Sequence, residues 1–406
     1  MKKKQIFNLA ISIMGFLALV ALVLILPSEV AAKTKMVTTS NGTKLVCESY
    51  NGKTYQITGI KNAKEELIIP ETVDGKHKIT TFSMALQPCY GHSYKEVRRI
   101  YFPATVKNIW ENCNDEDGFD YNAFSAFPNL TEIFFDTNNQ YYSAADGKVY
   151  DTKKRLVAIA PGRSEVTIDS WVTSILPNAL SDFTKLEQFT VEEQNAKYKS
   201  VDGVLYTKDG ETLLLYPLAK KDKEFRVPEG VKTIESAACF GQKHLTRVVM
   251  SSTVQKIKDY AFAWCPLKKV KLNKNLKVIE EGAFRNTKWC SISLPSGLKK
   301  AEIGSLPVKK LVIPAGCKVT LDVDHHSSQT WLRAKTLVVK DKSLNLLKLD
   351  KEYQETLWDN EFFDEDDKAK SVYAKKTIYA YEDSKTYKQI GKIAKKYHIE
   401  LKKLKG

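Results

Sequence analysis

Asp322, Asp324, His325 and His326 bring metal-ligand chemistry into one short stretch. Two carboxylates and two imidazoles could suit a divalent transition metal. Their spacing argues against it, because adjacent histidines rarely serve one ion and Asp-Val-Asp alternates as a half-exposed strand does. An ordinary polar segment is expected there. The acidic run Asp364–Asp367 could gather calcium loosely, but it lacks the ligand spacing of a calcium loop. Gly52-Lys53-Thr54 looks like the end of a phosphate loop, yet the glycine needed five positions earlier is Cys47. The sequence contains no G-x-S-x-G, H-E-x-x-H or G-x-G-x-x-G. Carboxylates are so plentiful that no pair can be nominated for glycoside hydrolysis. The expectation is a chain with no catalytic residue, no metal and no cofactor.

What remains is surface, and surface needs a scaffold. Residues 245–287 provide one. LTRVVMSSTVQKIKDYAFAWCP, from Leu245, aligns with LKKVKLNKNLKVIEEGAFRNTK, from Leu267. Leu245 falls on Leu267, Val248 on Val270, Ile257 on Ile279 and Phe262 on Phe284, each 22 residues apart. A fixed period with apolar residues in register is the mark of a stacked repeat. One unit cannot bury its own apolar edge, but stacked units can. In each unit L-x-x-V-x-L forms a short strand, V-x-x-I returns the chain, and A-F drops a small and a large side chain into the core. Each large side chain buried in this way contributes roughly 1.5–3 kcal/mol.

These motifs resemble the BspA-like leucine-rich repeats of bacterial surface and secreted proteins. The likeness lies in the L-x-x-I-x-L strand, often followed by Pro, then V-x-x-I and A-F-x-x-C. No Asn follows the strand at the position usual in commoner leucine-rich repeats. The resemblance implies a leucine-rich repeat solenoid of the α/β superhelix class, strand-rich with short return segments. It also implies a parallel sheet along one face, N- and C-terminal caps, and a role in adhesion.

A longer unit occurs twice between Leu130 and Leu245. Tyr142 and Tyr198, Asp146 and Asp202, Gly147 and Gly203, Tyr150 and Tyr206 are each 56 apart. The central Asp-Gly predicts a tight hairpin, and this insertion also resembles a variant in the same family. Val37 to about Thr80 reads as a first, capping unit with a hairpin at Asn51-Gly52. ELIIPETV, from Glu66, follows as a strand and return. An acidic insert, NCNDEDGFD, interrupts the unit that begins at Val97. CSISLP, VKKLVIP and AKTLVVKDKSL read as later strands, after which WDNEFFDEDDK is expected to be irregular.

Residues 1–32 read as a signal peptide, with Lys2, Lys3 and Lys4 before an apolar run and Val30-Ala31-Ala32 at a cleavage site. Retention of that run as an N-terminal anchor is the other reading. Residues 33–370 are read as the solenoid with its first cap. Residues 371–406 are read as a strand-helix-strand cap, with Ser384 capping the helix and Tyr387, Ile390, Ile393, Ala394 and Tyr397 on its inner face. Seven cysteines are an odd number for an exported chain. Cys89 and Cys265 share a slot with Phe127, Phe183 and Thr287, so buried free thiols are expected, not bridges.

The formal charge is +15, or +13 without residues 1–32, which favours polyanionic partners. In each strand the third and fifth positions face outward. Arg99, Tyr101, Arg247, Lys269, Lys271 and Lys310 are therefore the candidate binding residues. Arg247, Lys269, Lys271 and Lys310 are placed on successive strands about 5 Å apart, within a Debye length of about 8 Å, and with few acids between them. The expected partner is a host or bacterial surface protein or an anionic glycan, and not nucleic acid. The mature chain is expected to be a secreted or cell-surface monomer that does not span the membrane. Two other readings stand beside this one: a glycan- or wall-active enzyme with its site in the irregular 315–370 region, and a structural surface-layer component.

Overall fold

The computed structural model describes residues 32–84, 92–109, 123–181, 183–287, 294–304, 306, 308–324, 329–332, 334–349 and 375–405. The leader, the NCNDEDGFD insert, most of CSISLP, the WDNEFFDEDDK stretch, His325 and His326 lie outside these residues, as do Cys89, Cys113 and Cys290. No helix among the described residues is long and apolar enough to cross a membrane.

The 22-residue register appears as strand pairing. Arg247–Val249 runs parallel to Lys269–Lys271, with Val248 opposite Val270. On the return side Ile257 lies opposite Ile279, and Ile279 opposite Ala301. Phe262 and Phe284 are fully buried and stack at 5.5 Å with nearly parallel rings. Each coil thus adds one rung to a strand face and one to a return face, with apolar side chains between the two ladders.

A third set of bonds joins the coils at the A-F corner. Tyr260 N–H donates to Glu281 C=O, Phe262 to Ala283 and Trp264 to Arg285, at 3.0, 2.8 and 2.8 Å. The corner bends because two positions per coil take left-handed backbone. They are Ala237, Tyr260 and Gly282 in one column, and Gly241, Trp264 and Asn286 in the other. Three of the six are neither glycine nor asparagine and sit in a conformation that L side chains disfavour. The repeated inter-coil bonds hold them there.

Among the described residues the strand face comprises parallel segments of three, two, three and four strands, and residues 288–293, between the third and the fourth, lie outside them. Glu66–Ile68, Arg99–Phe102 and Glu132–Phe135 form the first. Glu165–Ile168 and Gln188–Val191 form the second. Glu224–Arg226, Arg247–Val249 and Lys269–Lys271 form the third. Lys310–Ile313, Thr336–Val339, Thr377–Ala380 and Glu400–Lys403 form the fourth. The first two breaks coincide with the two Asp-Gly hairpins, which insert between coils. Tyr142–Ala145 pairs antiparallel with Lys148–Asp151, and Tyr198–Val201 with Val204–Thr207. Asp146, Gly147, Asp202 and Gly203 all have positive φ, as two-residue hairpin turns of this hand require.

At the start, Lys33–Thr38, Lys44–Ser49 and Thr54–Lys61 form an antiparallel meander that covers the first coil, with Gly52 in the left-handed region. At the far end the helix Lys385–Ile393 begins at Ser384, whose hydroxyl accepts from Tyr387 N–H at 3.1 Å. Ile390 is buried, and Tyr387, Ile393, Ala394 and Tyr397 pack against the last core layer. Thr386 fixes the helix by donating to Leu344 C=O at 2.7 Å.

Cys47, Cys239, Cys265 and Cys317 are free and buried. The shared slot is a core position in every described coil that carries it, since Phe127, Phe183, Cys265 and Thr287 are all buried. Burial pushes the Cys47 and Cys265 thiols up to about 12 and Cys317 up to about 11. These four thiols are therefore expected to be inert to thiol reagents at pH 8 in the folded protein and to react only after unfolding. The linkage has a sign. The folded thiol keeps its proton above the unfolded value near 8.5, so this contribution to stability falls as pH rises from about 9 to about 12. Thiol titration at pH 8 with and without denaturant checks the first statement. Rapid labelling of Cys265 in the native chain would overturn it.

Candidate binding face

The outward positions of the strand ladders form two rows. At the N-terminal segment one row reads Glu66, Arg99 and Glu132, and the other Ile68, Tyr101 and Phe134. Arg99 is already engaged, with its guanidinium 2.9 Å from Glu65 and 3.0 Å from Glu66. Tyr101 stacks on Phe134 at 4.8 Å with rings nearly parallel, and Phe134 is 42% exposed. An aromatic pair on the solvent side of a sheet presents an apolar surface with one hydroxyl edge, which is common anatomy in interfaces.

In the third segment Arg247 lies directly opposite Lys269, and Val249 opposite Lys271. The strand before them changes the expected charge. Glu224 lies opposite Arg247 and pairs with it at 3.1 Å, while Arg226 approaches the same Glu224 at 2.6 Å. Arg247 is therefore not uncompensated, and its buried Nε has no acceptor among the described residues. Lys269 and Lys271 are exposed, and no carboxylate pairs with either among the described residues. Lys310 lies in the fourth segment opposite Thr336, and the 288–293 stretch between Lys271 and that segment lies outside the described residues. Of the proposed stripe, Lys269 and Lys271 stand exposed on one strand, Arg247 shares the Glu224 carboxylate with Arg226, and the link to Lys310 lies outside the described residues. The sequence pattern gave each side chain's direction correctly. It did not show that Glu224, a coil earlier, would fall opposite Arg247.

The candidate metal cluster is only partly visible. Asp322–Asp324 is a strand paired antiparallel with Gln329–Trp331. No group of metal ligands occurs among the described residues. In the irregular region a cavity of about 700 Å³ lies between the cap helix and the loop at 341–345. Asp341 is the carboxylate among its described lining residues, and it is occupied. Burial alone would raise its pKa, but hydrogen bonds from Ser343, Gly316 and Leu344 hold it below the usual carboxylate range. It shapes a turn and is poorly placed to exchange protons.

Sequence reasoning missed the polar group buried beneath the first hairpin. Lys148, only 2% exposed, donates from Nζ to Thr167 C=O at 2.7 Å and to Asp169 at 2.9 Å. The Tyr150 hydroxyl donates to the same Asp169 carboxylate. Burial, with Asp169 beside it, pushes the Tyr150 phenol far above its ordinary range. The missed signal was a lysine in the register position that Val204 fills 56 residues later.

A search of curated proteins finds no match. Among solved structures the chain is similar to a pneumococcal vaccine antigen, PcpA, at 18% identity over 92% of this chain and 99% of that one, with a TM-score of 0.48. It is also similar to a leucine rich cell surface protein of Faecalibacterium prausnitzii, at 18% identity over 76% of this chain and 95% of that one, with a TM-score of 0.39. A leucine-rich repeat protein of Eubacterium ventriosum is similar at 17% identity over 76% of this chain and 78% of that one, with a TM-score of 0.38. Likenesses this weak bear on neither function nor partner. The family model for the BspA type leucine rich repeat region matches residues 219–316 in six copies. That span contains the coils whose register, corner bonds and stacked phenylalanines are described above, and it identifies them as BspA-type leucine-rich repeats.

Proposed function

We propose that this chain is a non-catalytic binding protein of the cell surface or the secreted fraction, a capped solenoid that meets an anionic partner with its strand face. One observation carries the reading. Lys269 and Lys271 project side by side from one short strand, exposed and with no carboxylate paired to either among the described residues, next to the Arg247 rung. Two like charges held so close repel, and an acidic glycan or protein surface laid across them relieves that cost while gaining contacts. The stacked Tyr101 and Phe134 extend the contact area at the N-terminal end of the same face. The leader-like residues 1–32 and the family of the repeats support export. The 33–370 solenoid and 371–406 cap remain the proposed division of the chain.

The test is retention of the purified chain on an immobilised sulfated polysaccharide. Wild type is expected to bind at low salt and to elute as ionic strength rises, because surface contacts are screened. Lys269→Glu with Lys271→Glu is expected to abolish retention and leave circular dichroism and melting temperature nearly unchanged, since both side chains are in solvent. A folded double variant retained as strongly as wild type would place the binding residues elsewhere.

A further inference from the structure

The two Asp-Gly hairpin units are copies of one design, and they differ at one place. In the first, Asp146 is neutralised by Arg163 at 2.6 Å and faces the Lys148 ammonium at 3.9 Å. That ammonium also meets Thr167 C=O and Asp169, which in turn accepts from Tyr150. The gap between hairpin and next strand is filled.

In the second unit the acceptors stay and the cations go. Asp202 and Tyr206 stand where Asp146 and Tyr150 stood, 56 residues on. Val204 replaces Lys148 and Ala219 replaces Arg163 at the same offset. The strand Glu224–Arg226 takes the place of Glu165–Ile168, so Arg226 corresponds to Thr167 and Pro228 to Asp169. A cavity of about 310 Å³ opens there, walled by Val201, Val204, Tyr206, Phe225 and Pro228. Tyr206 is 2% exposed and lines this cavity. Its hydroxyl has lost the carboxylate that Tyr150 keeps, and it makes no hydrogen bond among the described residues. The charged lining groups are Asp202, Asp222, Glu224, Lys220 and Arg226. Lys220 pairs with Asp222 at 3.1 Å, Arg226 with Glu224 at 2.6 Å and Arg247 with the same Glu224 at 3.1 Å, and no cation pairs with Asp202 among the described residues.

We infer that this cavity is a binding site for a primary alkylammonium, which supplies from outside the group that Lys148 supplies within the first unit. The alkyl chain lies against Val201, Val204 and Phe225. The ammonium donates to the Tyr206 hydroxyl and the Arg226 carbonyl and faces Asp202. An ammonium has three donors and no acceptor, and this end of the cavity offers acceptors and the Asp202 carboxylate. Free alkylamines and lysine side chains of another protein share this chemistry.

The test is calorimetric titration of the full chain with n-pentylamine and, separately, with Nα-acetyl-lysine methylamide. Saturable binding at roughly millimolar concentration is expected for ligands this small, and n-pentanol and n-pentanoate are expected to give none. Binding of both amines points to a lysine side chain as the natural occupant, and binding of n-pentylamine alone to a free amine. Tyr206→Phe keeps the wall and removes the hydroxyl, so it is expected to weaken binding about fivefold. Asp202→Asn is expected to weaken it about tenfold. Val204→Lys with Pro228→Asp rebuilds the internal plug and is expected to abolish binding while the fold is kept. Absence of saturable binding to wild type overturns the inference. So does equal binding of n-pentanol, or amine binding unchanged in folded Tyr206→Phe and Asp202→Asn. None of these outcomes depends on Lys269 or Lys271, so the strand-face reading stands or falls separately.

Discussion

Phe284→Asp is expected to abolish the stable C-terminal core. Phe284 is fully buried and lies flat on Phe262 of the preceding coil. Truncating a buried phenylalanine alone costs about 3–5 kcal/mol. A carboxylate placed there finds no cation and no donor in an apolar layer, which adds several kcal/mol or forces the group to take up a proton. Phe284→Leu, which keeps most of the volume, is expected to cost about 1–2 kcal/mol. Urea unfolding followed by circular dichroism separates the two. A normal transition midpoint for Phe284→Asp would sink the 22-residue register, because that register alone puts this ring inside.

The second large effect is expected at Lys148. Lys148→Ala leaves the Thr167 carbonyl without its side-chain donor and the Asp169 carboxylate without its cation, with the Tyr150 hydroxyl still donating to it. Removing one partner of a buried ion pair costs about 3–5 kcal/mol. The Asp169 side chain is 22% exposed, so water offsets part of this, and about 2–3 kcal/mol is the expected loss. The pair removed together should behave differently. Lys148→Val with Asp169→Pro copies the second hairpin unit, which carries Val204 and Pro228 at these positions, and it is expected to recover most of the loss. Denaturant midpoints of the single and double variants measure this. If Lys148→Ala melts with wild type, the ammonium is not what closes that gap.

How much of this was legible in the residues alone varies with the kind of information each feature needs. The coil register was readable because it rests on one chemical property repeated at a fixed interval. Leu245, Val248, Ile257 and Phe262 all carry it. The hairpins were readable because Asp-Gly fixes a turn locally, and the cap helix because Ser384 and one apolar stripe suffice. The corner was not readable. Ala237, Tyr260 and Trp264 give no local sign of left-handed backbone, which the bonds to the next coil impose. The break-up of the strand face was missed for a related reason. A hairpin's own turn can be read from its residues, but what it displaces in the adjoining ladder cannot. The candidate binding face shows the same division. That Lys269 and Lys271 point outward follows from strand alternation. That Glu224 neutralises Arg247 depends on which coil stacks on which, and on two rotamers.

The Asp-Gly hairpins bear on how the chain comes to order. Elsewhere in the 245–287 coils a strand meets its neighbour only after some 22 residues have been closed into a loop, and the entropy of that closure precedes any gain in contact. At 142–151 and 198–207 the two strands are joined by two residues already suited to the turn. Hairpins of this kind form within about 1–10 μs. They are thus early, local templates set one on each side of the Glu165–Ile168 and Gln188–Val191 pair. Coils can add to them in both directions, since each new layer needs only the layer beside it. The insertions that interrupt the strand ladder are, in time, the places from which it can begin.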